Sequence, residues 1–171
     1  MPDENSFYGK YRGTVLDNID PLQAGRLQVE VPDVAGTVPS TWALPCLPFA
    51  GTGAGFFAVP PVGSLVWVEF EQGDPDYPIW TGCFWGTAAD VPPLALAGPL
   101  GLQQVVIQTV GEAVLVLSDT PGPSGGILLQ SSSGALISVS DSGIIIDNGQ
   151  GATITLDGPT VSVNDGALEV T

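Results

Sequence analysis

The alternation of apolar and polar positions divides this chain into two parts with different grammar. From about Leu102 the sequence runs QVVIQTVGEAVLVLSDTPGPSGGILLQSSSGALISVSDSGIIIDNGQGATITLDGPTVSVNDGALEVT, in which short apolar runs recur with Gly, Asp, Asn or Ser between them. Ile137, Ile145, Ile154, Val161 and Leu168 serve as equivalent positions, with steps of 8, 9, 7 and 7 residues. A period of two places Ala152, Ile154 and Leu156 of ATITLD on one face, with Thr153, Thr155 and Asp157 on the other. The pattern predicts an array of meandering five-residue strands. The first part shows five longer strand candidates: Tyr8–Leu16, Arg26–Val31, Thr41–Leu47, Ser64–Glu71 and Pro78–Trp85. RLQVEV and LVWVEFE alternate as half-buried strands do, and Pro32, Pro60, Pro61, Pro75 and Pro78 fall at strand ends or turns. Five short antiparallel strands in some 80 residues suit a small Greek-key barrel of the OB type.

Between the two parts, residues 87–101 are rich in Pro and Gly and read as an extended, stiffened linker or collar. The predicted organisation is therefore 1–86 OB-fold domain, 87–101 linker, and 102–171 repetitive spike. One strand per seven to nine residues, apolar on one face, cannot enclose a core alone. It would leave an apolar ribbon in water and two unpaired strand edges. Three identical ribbons around a common axis remove both problems: apolar faces meet at the axis and edges pair between neighbours. The predicted fold is all-β, a five-stranded OB-fold barrel followed by an intertwined three-chain β-helix, or β-prism. The side chains predicted at the trimer axis are Ile137, Val139, Ile145, Ile154, Leu156, Val161, Val163, Leu168 and Val170. The competing arrangement is one sheet of a monomeric β-sandwich. No aromatic residue follows Trp85, and a narrow axis admits aliphatic side chains more easily than rings.

Composition and charge remove several function classes. Three basic residues, Lys10, Arg12 and Arg26, stand against eighteen acids, for a net charge of -15. Nucleic-acid binding relies on lysine and arginine to displace phosphate counterions, so none is expected. There is no histidine, which excludes the usual general base, the commonest metal ligand and every histidine-dependent triad. Cys46 and Cys83 lack metal-site spacing and are expected as buried strand thiols. Neither a signal peptide nor a membrane-spanning stretch is apparent, so a soluble protein made in the cytoplasm, or released from it by lysis or assembly, is expected.

One run is specific: PPVGSLVWVEFEQGDPDYPIWTGCFWG, residues 60–86. It resembles the signature of the phage baseplate assembly protein V family, the OB-fold domain shared by contractile-tail central spikes and VgrG proteins of type VI secretion. The matching pieces are the entry from Pro61 to Ser64 with Gly63, the strand of Val66, Val68 and Phe70, and the turn Gln72 to Asp76 containing Gly73, Asp74 and Pro75. Pro78, Ile79 and the closing strand from Gly82 to Gly86 complete it. Upstream, YGKYRGTVLDNIDPLQAGRLQVEVPD is similar to the family's opening hairpin.

The resemblance implies a structural central spike of a contractile phage tail or tail-like injection system. Such a spike is attached to a tail hub and pushed through the target envelope on sheath contraction. It implies a homotrimer, a hub protein at the OB end, and a PAAR-like tip protein at the other end, where LEVT closes the sequence without a cap. Residence in a virion baseplate or extracellular injection particle, assembled in a bacterial or archaeal cytoplasm, follows from the same source. No enzyme and no cofactor are expected: residues 86–101 are too short for the lysozyme domain some relatives insert there. The iron-binding histidines of certain tips have no counterpart. Three-fold rings of Asp141, Asp147, Asp157 or Asp165 could hold a hard cation, but solvated turn carboxylates are the simpler reading. An acidic surface does not adhere to anionic membranes, so penetration would come from force. The alternatives are an OB-fold oligosaccharide-binding module, which would use Trp42, Trp67, Trp80 and Trp85 as stacking platforms, and a trimeric adhesin or tail fibre.

Overall fold

The computed structural model describes residues 6–170. The chain divides into two compact units, one running to Ala88 and the other from Ala89.

In the first unit, alternation builds the sheet. Strands β1 (Tyr11–Asp17), β2 (Gln28–Glu30), β3 (Leu44–Pro45), β6 (Leu65–Phe70) and β7 (Pro78–Phe84) form a five-stranded sheet in the order β2-β1-β6-β7-β3. All neighbours are antiparallel except β3 against β7. One face is apolar because every second residue is: Val15, Val29, Val66, Val68, Phe70 and Trp80 join Leu27, Val31 and Ala43 in one buried core. Each valine, leucine or phenylalanine among them contributes on the order of 1.5–3 kcal/mol when removed from water. Phe7 and Tyr11 pack edge-on or tilted against each other and against Phe70, closing one end of the core.

Two pieces depart from the sequence expectation. A small hairpin of β4 (Ala50–Gly51) and β5 (Ala54–Gly55) interrupts what reads as loop. A single helical turn, α1 (Pro32–Ala35), follows β2, with proline at its first position, where a missing N–H does no harm. Cys46 and Cys83 are unpaired and both reach the surface, contrary to the buried thiols expected. Cys46 follows the two-residue β3, and Cys83 lies near the outer end of β7, past the core.

The second unit begins with a helical turn rather than an extended spacer. Helix α2 (Pro93–Leu96) forms from PLAL, again with proline opening it. The side-chain amide of Gln104 donates to the Leu94 carbonyl at 2.8 Å, fixing the turn against the sheet that follows. That sheet has eight antiparallel strands in sequential order: β8 (Gln104–Gln108), β9 (Val114–Ser118), β10 (Gly126–Gln130), β11 (Leu136–Ser140), β12 (Gly143–Asp147), β13 (Thr153–Asp157), β14 (Thr160–Val163) and β15 (Leu168–Val170).

Short turns leave adjacent strands no choice but to pair with each other. In three of them a polar residue donates its backbone N–H to the carbonyl of an alanine four positions on: Thr109 to Ala113, Ser131 to Ala135 and Asn148 to Ala152. Glycine is required where backbones crowd. A Cβ on Gly143 (φ 132°) would collide with the Leu156 carbonyl oxygen, and one on Gly126 (φ 83°) with that of Val139. The expected inter-chain edge pairing is thereby corrected within this unit. Each strand from β9 to β14 already has both edges paired within its own chain, which leaves the sheet faces and the outer edges of β8 and β15 open to a partner.

Candidate assembly surface

The register of the eight strands sorts their side chains into two faces, because residues directly opposite in an antiparallel pair share a face. One face consists of two columns. The first runs Val105, Leu117, Ile127, Val139, Ile144, Leu156, Val161 and Val170; the second runs Ile107, Leu115, Leu129, Ile137, Ile146, Ile154, Val163 and Leu168. Every member is Val, Ile or Leu. Eight strands at the usual spacing make this face about 34 Å long. Ile137 and Leu129 are 42% and 46% exposed, and twelve of the sixteen are exposed in this way; Leu115, Ile144, Leu156 and Val163 are half-buried. An uninterrupted aliphatic face of this length on one chain marks an association site.

The opposite face has another character. Near the start of the sheet, Val106, Val116 and Leu128 share its central column, and Leu94 and Ala97 line a crevice with Val116 and Leu128. Beyond that point the column becomes Ser138, Ile145, Thr155 and Ser162. Asp147 and Asp157 lie on this face, and Asp147 accepts the Gly149 N–H at 2.6 Å. Asp141, in a turn, accepts the Gly122 N–H at 3.1 Å, and Asp165 is a turn residue with φ 52°. None of the four aspartates considered for an axial ring lies on the aliphatic face. Among the described residues, no group of three or more His, Cys, Asp or Glu side chains comes together to hold a metal.

Eight of the nine residues predicted for the axis lie on the aliphatic face. Ile145 does not: it pairs laterally with Ser138 and Thr155 on the polar face, while its neighbours Ile144 and Ile146 occupy the two columns. Three consecutive isoleucines hide the parity of the strand, and the uneven repeat steps carried the wrong one forward.

The family-signature residues of the first unit serve the barrel. Phe70 and Pro78 are buried, and Gly73 (φ 84°) lies buried under Tyr8, with its carbonyl accepting the Phe7 N–H at 2.8 Å. Asp74 accepts the Asp76 N–H through its side chain at 3.0 Å, and Pro75 is exposed between them. Gly63 (φ 87°) donates to the Val15 carbonyl at 2.8 Å, and Gly82 (φ 144°) sits at the bulge where β7 slips against Trp67 and Val68.

Sequence reasoning missed Asp20, the one buried polar or charged residue among those described. Its carboxylate accepts N–H groups of Leu22, Ala24 and Arg26, and pairs with the Arg26 guanidinium at 2.6 Å and 3.0 Å. The hydrogen bond from Arg26, followed by those from the backbone, outweighs desolvation and holds the Asp20 carboxyl well below the usual carboxylate range. The signal was present as Asp-Pro and Gly-Arg flanking one turn, read only as part of a motif.

The aromatic groups considered as stacking platforms are largely engaged within the unit. Trp80 is buried and donates its indole N–H to the Gly25 carbonyl at 3.1 Å. Arg26 lies over Trp42, and Arg12 over Trp67 and Phe84. Lys10 pairs with Glu69 at 2.9 Å.

An OB-type barrel in one unit and, in the other, a strand ladder with one wholly aliphatic exposed face define a self-associating class of protein. Residues 11–85 match the type VI secretion system/phage-baseplate injector OB domain, and residues 104–169 match the phage baseplate V C-terminal trimerisation domain. The chain belongs to the phage baseplate V family, whose members are structural baseplate and spike components. It is similar to the type VI secretion system spike protein VgrG4b of Pseudomonas aeruginosa, with 42% identity over 53 residues. That match covers 31% of this chain and 7% of the relative, so the chain corresponds to a small part of the relative's length.

Proposed function

We propose that three copies of this chain form the central spike of a contractile tail or tail-like injection particle. The observation that carries the proposal is the unbroken aliphatic face of the second unit. Three such faces meeting at one axis form a prism with a dry aliphatic centre, and the polar faces turn to water. Eight of the predicted axis residues, Ile137, Val139, Ile154, Leu156, Val161, Val163, Leu168 and Val170, lie on that face, and Ile144 and Ile146 take the place assigned to Ile145.

The OB unit attaches to the tail hub, and the prism, carrying a PAAR-like protein at its tip, is driven through the target envelope when the sheath contracts. Its part is mechanical. Intrachain ladder bonds keep each wall in register, while burial of the aliphatic faces holds the three walls together. The second unit contributes eight acids and no base, so it meets an anionic envelope without attraction.

Electron microscopy tests the placement. Tail particles assembled in the producing cells with an epitope-tagged chain should carry gold-labelled antibody at the baseplate end. Label absent from particles, or spread along the tail, contradicts the proposal.

A further inference from the structure

The turn joining β12 to β13 opens with Asp147, Asn148 and Gly149, and its hydrogen bonds converge on the two groups that a backbone rearrangement would join. Oδ1 of the Asp147 carboxylate accepts the Gly149 N–H at 2.6 Å. Oδ1 of the Asn148 side chain accepts two backbone N–H groups, from Gln150 at 2.8 Å and from Ala152 at 3.0 Å. The nitrogen that would attack therefore rests on a base, and the carbonyl it would attack is polarised by a pair of fixed donors. Gly149 has φ 71°, and a Cβ there would come within 3.0 Å of the Ala135 nitrogen and the Gly134 carbonyl carbon, so the seat favours glycine. Glycine also leaves its own nitrogen unshielded by a side chain. Asn148, Gly149 and Gln150 are exposed on the chain, within reach of water.

We propose that this turn is a self-catalysed modification site, at which Asn148 is converted to aspartate and isoaspartate. The Gly149 nitrogen bonds to Cγ of Asn148 as its proton passes to the Asp147 carboxylate. The N–H groups of Gln150 and Ala152 hold the charge that develops on Oδ1. The Cγ–Nδ2 bond then breaks, and Nδ2 leaves as ammonia with the proton returned by Asp147. Water is the only co-reactant, and it opens the resulting cyclic imide at either carbonyl. Opening at Cγ gives aspartate; opening at the backbone carbonyl gives isoaspartate, with the main chain rerouted through Cβ. Either product adds a carboxylate next to Asp147. Asn18 supplies the contrast, because Ile19 likewise donates its N–H to a preceding carboxylate, that of Asp17, at 2.8 Å. There the attacking nitrogen belongs to a β-branched residue, and the side-chain nitrogen that would have to leave is tied to the Pro60 carbonyl at 3.0 Å. The glycine and the pair of donors distinguish Asn148.

The test follows the full-length protein at neutral pH and physiological temperature over weeks. Peptide mapping by mass spectrometry reads the conversion of each asparagine, and enzymatic methyl transfer to the freed α-carboxylate reads isoaspartate. Asn148 should convert at least about tenfold faster than Asn18. The folded chain should also convert Asn148 at least about tenfold faster than the same chain unfolded in guanidinium chloride, since only the fold brings base and donors together. Asp147→Asn keeps an acceptor oxygen beside the Gly149 N–H but removes the base, and should slow the reaction by a similar factor. An equal or faster rate in the unfolded chain overturns the proposal and assigns the reaction to the Asn-Gly pair alone. An unchanged rate in folded Asp147→Asn overturns it as well, because the carboxylate would then take no part.

Discussion

Ile146→Asp is expected to dissociate the assembly, whereas Ile145→Asp is expected to leave it whole. The two residues are adjacent, equally hydrophobic and equally exposed on the single chain, at 42% each. They differ in the face they occupy. Ile146 stands opposite Ile137 and Ile154 in the aliphatic column, and Ile145 stands between Ser138 and Thr155. An aspartate at 146 would place three carboxylates at one level of a dry axis with no cation near them. Each uncompensated buried charge costs on the order of several kcal/mol, and the three also repel. Since every 1.4 kcal/mol is tenfold in an equilibrium constant, the dissociation constant should rise by at least about a thousandfold. At 145 the carboxylate would join a surface that already carries Asp147 and Asp157, at little cost. Light scattering on the two variants reads the difference directly. Equal behaviour, whichever way, contradicts the face assignment.

The second large effect is expected at Asp20. Asp20→Ala removes the acceptor of five hydrogen bonds and leaves Arg26 without its carboxylate. The 17–26 loop then loses its internal frame, and with it the seat of the Trp80 indole on Gly25. A fall of about 10 °C in the melting temperature of the first unit is expected. All four tryptophans lie in that unit, so their fluorescence reports its unfolding separately.

The pH dependence has a definite sign. The folded carboxyl titrates below its ordinary unfolded value of about 3.9, so its stabilisation is complete above that value. It is lost as the pH falls through the lower folded value. The difference in melting temperature between wild type and Asp20→Asn should therefore shrink on acidification from pH 7 to pH 3. A constant difference would show that the charge of Asp20 does not stabilise the fold.

Much of this architecture was legible because alternation and burial agree. LVWVEF predicts a strand with Val66, Val68 and Phe70 inward, and β6 has that pattern. The aliphatic ladder was visible as recurring strands with one apolar side. What escaped notice has local physical causes. The β4–β5 hairpin is built from Ala and Gly, whose small side chains give no alternation to detect. In PPLALAG, proline composition suggested an extended spacer, yet proline is also well suited to open a helical turn, and α2 forms. The strand Gly143–Asp147 offers Ile144, Ile145 and Ile146 in succession, so hydrophobicity cannot tell its two faces apart. Only register across β11 and β13 does so. Edge pairing between chains was inferred from single strands, but turns this short force each strand onto its sequence neighbour.

The central claim is that the aliphatic face is covered by two further copies of the same chain. The absolute mass of the purified full-length protein, by light scattering on a sizing column at successive dilutions, tests it most directly. The account predicts a mass near three times 17.5 kDa that survives dilution. A compact particle of 17.5 kDa would contradict it.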